Sequence, residues 1–411
     1  MTYLNSVKYI SSAPAENKSE GGGMPALLER FGNPQRRIKY IRLAGSNGKT
    51  VCAEMLTAIL GNAGYTVGCL RMPMREEPRE NICIGAQSLS MDEFAELAAE
   101  VRRTVGELCT EYGANAVVPS ISELLLTIAL LAFHRHKCDL CIIESDHFGN
   151  DPSGVLPAPF AAVICGTIPS KDKAEIRKIR SYIVKGIQEI VSVPQNSEAY
   201  KVISDTCYSI NCRLTLPKRA ELTVDRLGLS GTEFSYKGKP YALKLCGQFQ
   251  VSNAVLVLET AEMLSRRGFK ISDEAIRTGL STLRIPAKFE VIGLRPLIIA
   301  DSTHTPVAID IVCDALADFK VQSVTKVRLC LPSTELARHY VSALEKRGYT
   351  VESVLLPEGE PPLANTTFCK TKKALAKQSL ALLTNDTILL ISGDYPFVIP
   401  VRYELLMIMG F

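Results

Sequence analysis

"IRLAGSNGKTVCAEMLTAIL", residues 41–60, changes pattern twice within one line of sequence. It continues a β-rich run, "IKYIRLA" at 38–44. After Lys49, apolar residues recur at 52, 55, 56, 59, 60 and 63, the stripe of an amphipathic helix. That helix stops at "GNAGY", a glycine-rich exit. Between strand and helix lies Gly45-Ser46-Asn47-Gly48-Lys49-Thr50. Glycines let a backbone curl so that its N–H groups face phosphate oxygens. The helix N-terminus adds a favourable dipole. Lys49 would reach the β- and γ-phosphates, and the Thr50 hydroxyl would face Mg²⁺. The spacing is G-x-x-G-K-T; Leu43 stands where longer phosphate loops have an earlier glycine. An ordinary turn with an exposed lysine is the other reading. Strand, turn and helix in register favour phosphate binding.

A phosphate loop needs an acid beside it to complete a metal site. Glu144 ends the apolar run "CDLCIIE" at 138–144, where a magnesium-associated carboxylate belongs in such a sheet. Thr50 and Glu144 are therefore the candidate metal ligands. The surrounding chain alternates strand and helix, which implies a parallel sheet covered on both faces. "SMDEFAELAAEVRRTVGEL" opens a helix on a Ser90 cap, and "SISELLLTIALLAFHRH" reads as a mostly buried helix. At 220–246 the period changes to two, with a Lys-Gly turn, so antiparallel strands are expected there. "RIPAKFEVI" reads as a hinge around Pro286, after which a second, smaller βα alternation begins. The "SSAPAENKSEGGG" stretch at 11–23 reads as a flexible loop.

Composition excludes several classes. A formal charge of +4 over 411 residues is too weak a bias for nucleic acid or an acidic membrane. The longest apolar run, 124–133, is cut off by His134, Arg135, His136 and Lys137, too short to span a bilayer. The N-terminus has no signal-peptide layout. The 13 cysteines are odd in number and scattered through apolar runs, as buried thiols in a reducing cytoplasm are. Cys138 and Cys141 have metal-ligand spacing but no second pair, and strand alternation is expected to point them to opposite faces.

With these pieces in order, the sequence resembles the folylpolyglutamate synthase and dihydrofolate synthase family of the Mur ligase superfamily. The resemblance runs through "LLERFGNPQRRIKYIRLAGSNGKT", "ENICIGAQSLS", "PSISELLLTIALLAFHRHKCDLCIIE", "GQFQVSNAV" at 247–255, "IPAKFEVI", "IADSTHTP" at 299–306 and "DTILLISGDYPFV". It implies an α/β fold: a Mur-ligase-like ATPase domain with a parallel sheet at 1–290, and a smaller Rossmann-like domain at 291–411. It implies an amide ligase that turns a carboxylate into an acyl phosphate with ATP and joins it to an amino acid, folate and glutamate in the family. It further implies nucleotide contacts at Asn253, Lys288 and Asp301, a catalytic role for Lys49, Glu144 and His304, and a monomer.

Departures from the family pattern are many. "MPMR" replaces the substrate-side Ser-Pro-His-Leu, keeping Pro73. An Asp-His pair that would hold a second Mg²⁺ is missing after "AAVIC", and Arg180 aligns with the lysine that the family carbamylates. Lys288 replaces an arginine and loses its fork geometry. His147 could stand in for the missing metal histidine or be an exposed loop residue. Glu123 is either a buried, hydrogen-bonded acid or part of the metal surroundings. Two functions follow: an ATP-dependent ligase with one metal site, or a nucleotide-binding, non-catalytic homologue with a regulatory or assembly role.

Overall fold

A computed structural model of the chain describes residues 1–411 except 16–22, 46, 73, 76, 114, 115, 117, 146–155, 157, 158, 160, 169–172, 303, 320–324, 382 and 411, and only the backbone of 173–175, 177 and 181. The expected loop at 11–23 and His147 therefore fall largely or wholly outside the described residues. The chain divides into two compact units, each assembled from two stretches: 1–218 with 253–279, and 219–252 with 280–411.

The first unit is built on β1 (Tyr40–Gly45), β2 (Val67–Leu70), β3 (Ile82–Ile84), β4 (Gln87–Ser88), β5 (Leu140–Glu144), β6 (Ala161–Cys165), β7 (Glu189–Ser192) and β8 (Arg213–Thr215). Among the described residues they form one sheet in the order β4-β3-β2-β5-β1-β6-β7-β8. The strands from β2 to β8 across that order pair in parallel, and β3 and β4 add an antiparallel edge. β1 is central and buried from Tyr40 to Ala44, which suits its run of apolar residues. Even Arg42 is buried there, its guanidinium 4.5 Å from the Tyr182 ring centroid. On one face, helices Tyr3–Ser11, Met24–Arg30, Met91–Tyr112 and Ile121–Arg135 surround Phe94, Leu125 and Phe133. Ser90 caps the third of these, as its sequence implies. Glu123 closes a capping box on the fourth: it accepts from Ser120 N at 2.7 Å while Ser120 Oγ accepts from Glu123 N. Glu123 is thus a buried cap residue.

Along the sequence, strands fill positions on one side of β1 through β5 and then cross to the other side with β6. Ligands of parallel sheets bind beyond the carboxyl ends of strands at such a reversal. That places attention on the ends of β1 and β5.

In the second unit, β9 (Leu222–Gly228), β10 (Gly231–Tyr236) and β11 (Lys239–Leu243) form the expected antiparallel sheet. β12 (Glu290–Leu294), β13 (Leu297–Asp301), β14 (Lys326–Cys330), β15 (Thr350–Pro357), β16 (Thr366–Cys369) and β17 (Thr387–Ser392) form another, ordered β12-β13-β17-β14-β15-β16. All its pairs are parallel except β12 with β13. Alternate residues of β13 enter two cores: Leu297 and Ile299 pack with Leu316 and Tyr340, Ile298 and Ala300 with Leu375 and Val398. The segment read as a hinge is partly strand: Glu290–Leu294 pairs with β13, its period hidden by a bulge between Val291 and Gly293.

All thirteen cysteines are free thiols and most are buried. One expectation about them fails. Cys138 and Cys141 are hydrogen-bonded to each other and both pack against the Phe94 cluster. Cys138 precedes β5, so strand alternation does not govern it.

Candidate nucleotide and metal site

Gly45 ends β1 with φ of 126°, and a Cβ there would stand 1.7 Å from Cys165 O on β6. Only glycine fits this corner. Ser46 lies outside the described residues. Asn47 is half-buried. Gly48 has φ of 83°, and a Cβ on it would meet Asn253 Oδ1 at 2.5 Å. The expected glycines and Asn253, more than two hundred positions later, thus meet at one turn. Helix Lys49–Asn62 starts directly after Gly48 with no side-chain cap, so its N-terminal N–H groups keep no side-chain acceptor. Lys49 Nζ donates to Gly45 O at 2.8 Å, folded back over the turn.

Thr50 Oγ1 donates to Glu144 Oε2 at 3.2 Å. Glu144 is the last residue of β5, paired in register with Leu43 of β1, and only 1% exposed. Its Oε1 has no hydrogen-bond partner among the described residues. Burial raises the Glu144 carboxyl above the usual range; the charges of Arg71, Lys49 and Arg75 and the Thr50 hydroxyl pull the other way. A buried carboxylate oxygen without a partner is costly unless something binds it. Among the described residues, no three His, Cys, Asp or Glu side chains gather as a metal cage. One carboxylate and one hydroxyl fit Mg²⁺, a hard cation usually held by one or two protein oxygens together with substrate phosphates.

Two charged residues here were missed by the sequence reading. Glu54 pairs with Arg71, a half-hidden contact between the loop helix and the residue after β2. The four-residue step from Thr50 to Glu54 was the available signal, because it puts both on one helix face. Arg180, which the resemblance aligns with a carbamylated lysine, is exposed on helix Lys173–Tyr182.

Lys288, Asp301 and His304 belong to the second unit. Asp301 ends β13, is 3% exposed, and accepts from Phe289 N at 2.7 Å. Lys288 sits half-buried between Ala287 and Phe289, both left-handed, with φ of 54° and 51°. Ser302 N to Ala287 O at 2.7 Å and Ala287 N to Glu290 Oε2 at 2.9 Å close the same segment. Arg402 then holds Glu290 through a two-pronged pair at 2.5 and 2.6 Å. His304 is exposed just before helix Pro306–Asp318. His134 is exposed in the last turn of its helix, and His136 meets Glu93 at 2.8 Å.

No family model matches the chain. Among curated proteins, the chain is 28% identical over 298 residues to the Bacillus subtilis dihydrofolate synthase/folylpolyglutamate synthase, covering 69% of this chain and 68% of that one. It is 26% identical over 310 residues to a probable bifunctional folylpolyglutamate synthase/dihydropteroate synthase of Halobacterium salinarum, covering 71% of this chain and 37% of that protein. The chain is thus similar in sequence to folylpolyglutamate synthases over about 70% of its length. Its fold is that of solved folylpolyglutamate synthases. The folylpolyglutamate synthetase from Lactobacillus casei superposes with a TM-score of 0.83 at 22% identity, over 99% of this chain and 100% of that one. A folylpolyglutamate synthase complex with AMPPCP and folate superposes at 0.80 and 22% identity, again over 99% and 100%.

Proposed function

We propose that this chain is a member of the folylpolyglutamate synthase family and an ATP-dependent ligase that joins an amino acid such as glutamate to a carboxylate acceptor such as a folate. The observation that carries the reading is the Thr50–Glu144 pair, set at the sheet's reversal beside an uncapped helix and a glycine turn. The backbone of Gly45, Ser46, Asn47 and Gly48 cradles phosphate oxygens. Lys49 carries the positive charge for them, exchanging its contact with Gly45 O for a phosphate. Thr50 and Glu144 hold Mg²⁺. When bound, ATP supplies the phosphoryl group that makes a carboxylate electrophilic, and the cation offsets its charge. Asn253, Lys288 and Asp301 are further nucleotide-binding residues, Asp301 through the Lys288 segment it clasps. His304 has a catalytic role. Residues 1–290 and 291–411 are the two functional domains. The enzyme works as a monomer in the cytoplasm, where unpaired thiols persist. Among the described residues, no helix is long and apolar enough to cross a membrane.

The test is calorimetric titration of the full chain with AMPPCP and Mg²⁺, followed by glutamate-dependent phosphate release over a panel of carboxylate acceptors. Binding followed by release with a folate acceptor supports the ligase. Absence of any binding overturns the phosphate-site reading. Binding without release on any acceptor overturns the ligase in favour of a non-catalytic nucleotide-binding homologue.

A further inference from the structure

The loop helix carries a second charged contact that the proposed reaction leaves unexplained. Thr50 and Glu54 lie one turn apart on one face of helix Lys49–Asn62. Thr50 reaches Glu144 at the end of β5, and Glu54 reaches Arg71 just past the end of β2. β2 and β5 are neighbours, with Leu70 opposite Ile143, so Arg71 and Glu144 are the next residues along two adjacent strands. Leu70 and Ile143 point into the Phe94 cluster. Strand alternation turns the following pair to the other face, toward the loop helix. Two rungs result, Thr50–Glu144 and Glu54–Arg71, side by side.

Arg71 is built in. It is 8% exposed, and its Nε has no hydrogen-bond partner among the described residues. Its backbone is clasped twice by the fully buried Asn81: Arg71 N donates to Asn81 O at 2.8 Å, and Asn81 Nδ2 donates to Arg71 O at 2.7 Å. Arg71 Nη1 lies 3.4 Å from Glu80 O. A buried ion pair is weak support for a fold, since an apolar pair of similar volume often serves as well. Its place beside a ligand site calls for another account. A guanidinium does not lose its proton, so its charge is permanent.

We propose that Arg71 is the fixed cation of this site. It pairs with Glu54 and stands on the strand beside that of Glu144, where the two carboxylates would otherwise collect a free divalent ion. Glu144 is thereby reserved for a metal that arrives with nucleotide phosphates. This inference rests on the phosphate-site reading above. Without Arg71, the Glu54 and Glu144 carboxylates and the Thr50 hydroxyl are hard oxygen donors of the kind that Mg²⁺ and Mn²⁺ take.

The experiment is titration of the full chain with Mn²⁺ alone, followed by calorimetry and by the loss of free Mn²⁺ signal in electron paramagnetic resonance. Arg71→Met binds Mn²⁺ tighter than wild type by about tenfold or more, because Glu54 loses its ion-pair partner and Glu144 keeps only Lys49 and Arg75 as positive neighbours. Arg71→Lys, which keeps the charge, stays at the wild-type level. Adding Glu54→Gln to Arg71→Met removes the gain. Arg71→Gln carries the same expectation should methionine disturb packing. Equal Mn²⁺ affinity in wild type and the neutral variants overturns the proposal, and so does a gain in Arg71→Lys. Because no nucleotide is present, these outcomes are separate from AMPPCP binding, which tests the phosphate-site reading.

Discussion

Glu144 and Asp301 occupy matching places: each is the last residue of a buried parallel strand, and each is nearly inaccessible. Their surroundings differ. Glu144 receives the Thr50 hydroxyl on Oε2. Asp301 takes the Phe289 N–H and, through it, fixes a segment with two left-handed residues. Glu144 holds a side-chain hydroxyl; Asp301 holds the main chain. Burial at a strand end is therefore not a signature of function by itself. What differs is the group each carboxylate holds, a helix side chain at Glu144 and a loop N–H at Asp301.

That contrast can be pressed hardest at the turn beside Glu144. Gly45→Ala forces a methyl group into Cys165 O, with no flexible side chain to yield, so the first unit loses stability on the order of 4 kcal/mol or more. Soluble, cooperatively melting Gly45→Ala protein would show that the corner is looser than described. Next comes Lys49→Ala. It removes a charge-assisted phosphate contact, and AMPPCP affinity in calorimetry drops on the order of a hundredfold. Unchanged affinity would leave the glycine turn as structure only.

The two acids should then respond in opposite directions. Asp301→Ala leaves the buried Phe289 N–H without its acceptor and lowers stability by about 2 kcal/mol in denaturant melts. Glu144→Gln raises the melting temperature of the ligand-free protein at neutral pH and abolishes Mg²⁺-dependent tightening of AMPPCP. The sign follows from burial, which lifts the folded-state pKa of Glu144 above its unfolded value. Its contribution to stability is full below the ordinary carboxylate range and is lost as pH rises through the raised value. Thermal melts from acid to neutral pH should therefore fall less steeply in Glu144→Gln than in wild type. The same direction of change in both variants would break the comparison. The smallest effect is at His304. It is exposed, so His304→Ala shifts stability by no more than about 0.5 kcal/mol, and any loss appears in turnover.

Much of this was readable without coordinates where the signal was local. The Ser90 cap, the helix after Lys49 and the antiparallel strands past residue 220 follow from spacing and turn chemistry within a few residues. β12 was not readable, because its bulge breaks the two-residue period on which strand reading depends. The Cys138–Cys141 contact was misread, since alternation was applied to a residue just outside the strand. Arg71 and Glu54 were not singled out at all. Nothing local says that residue 71 follows a buried strand end facing a helix seventeen positions earlier.

By itself the sequence determined the strand–turn–helix unit, its glycines and the alternation that implies two sheets. These depend on backbone sterics and hydrophobic periodicity, which act over one or two turns of chain. Tertiary structure alone decided that Thr50 meets Glu144 across 94 positions, that Asn253 packs against the Gly48 turn, and that Asp301 accepts from Phe289 N. Those outcomes depend on strand order and register, which are set by packing between distant segments and leave no mark on any single stretch.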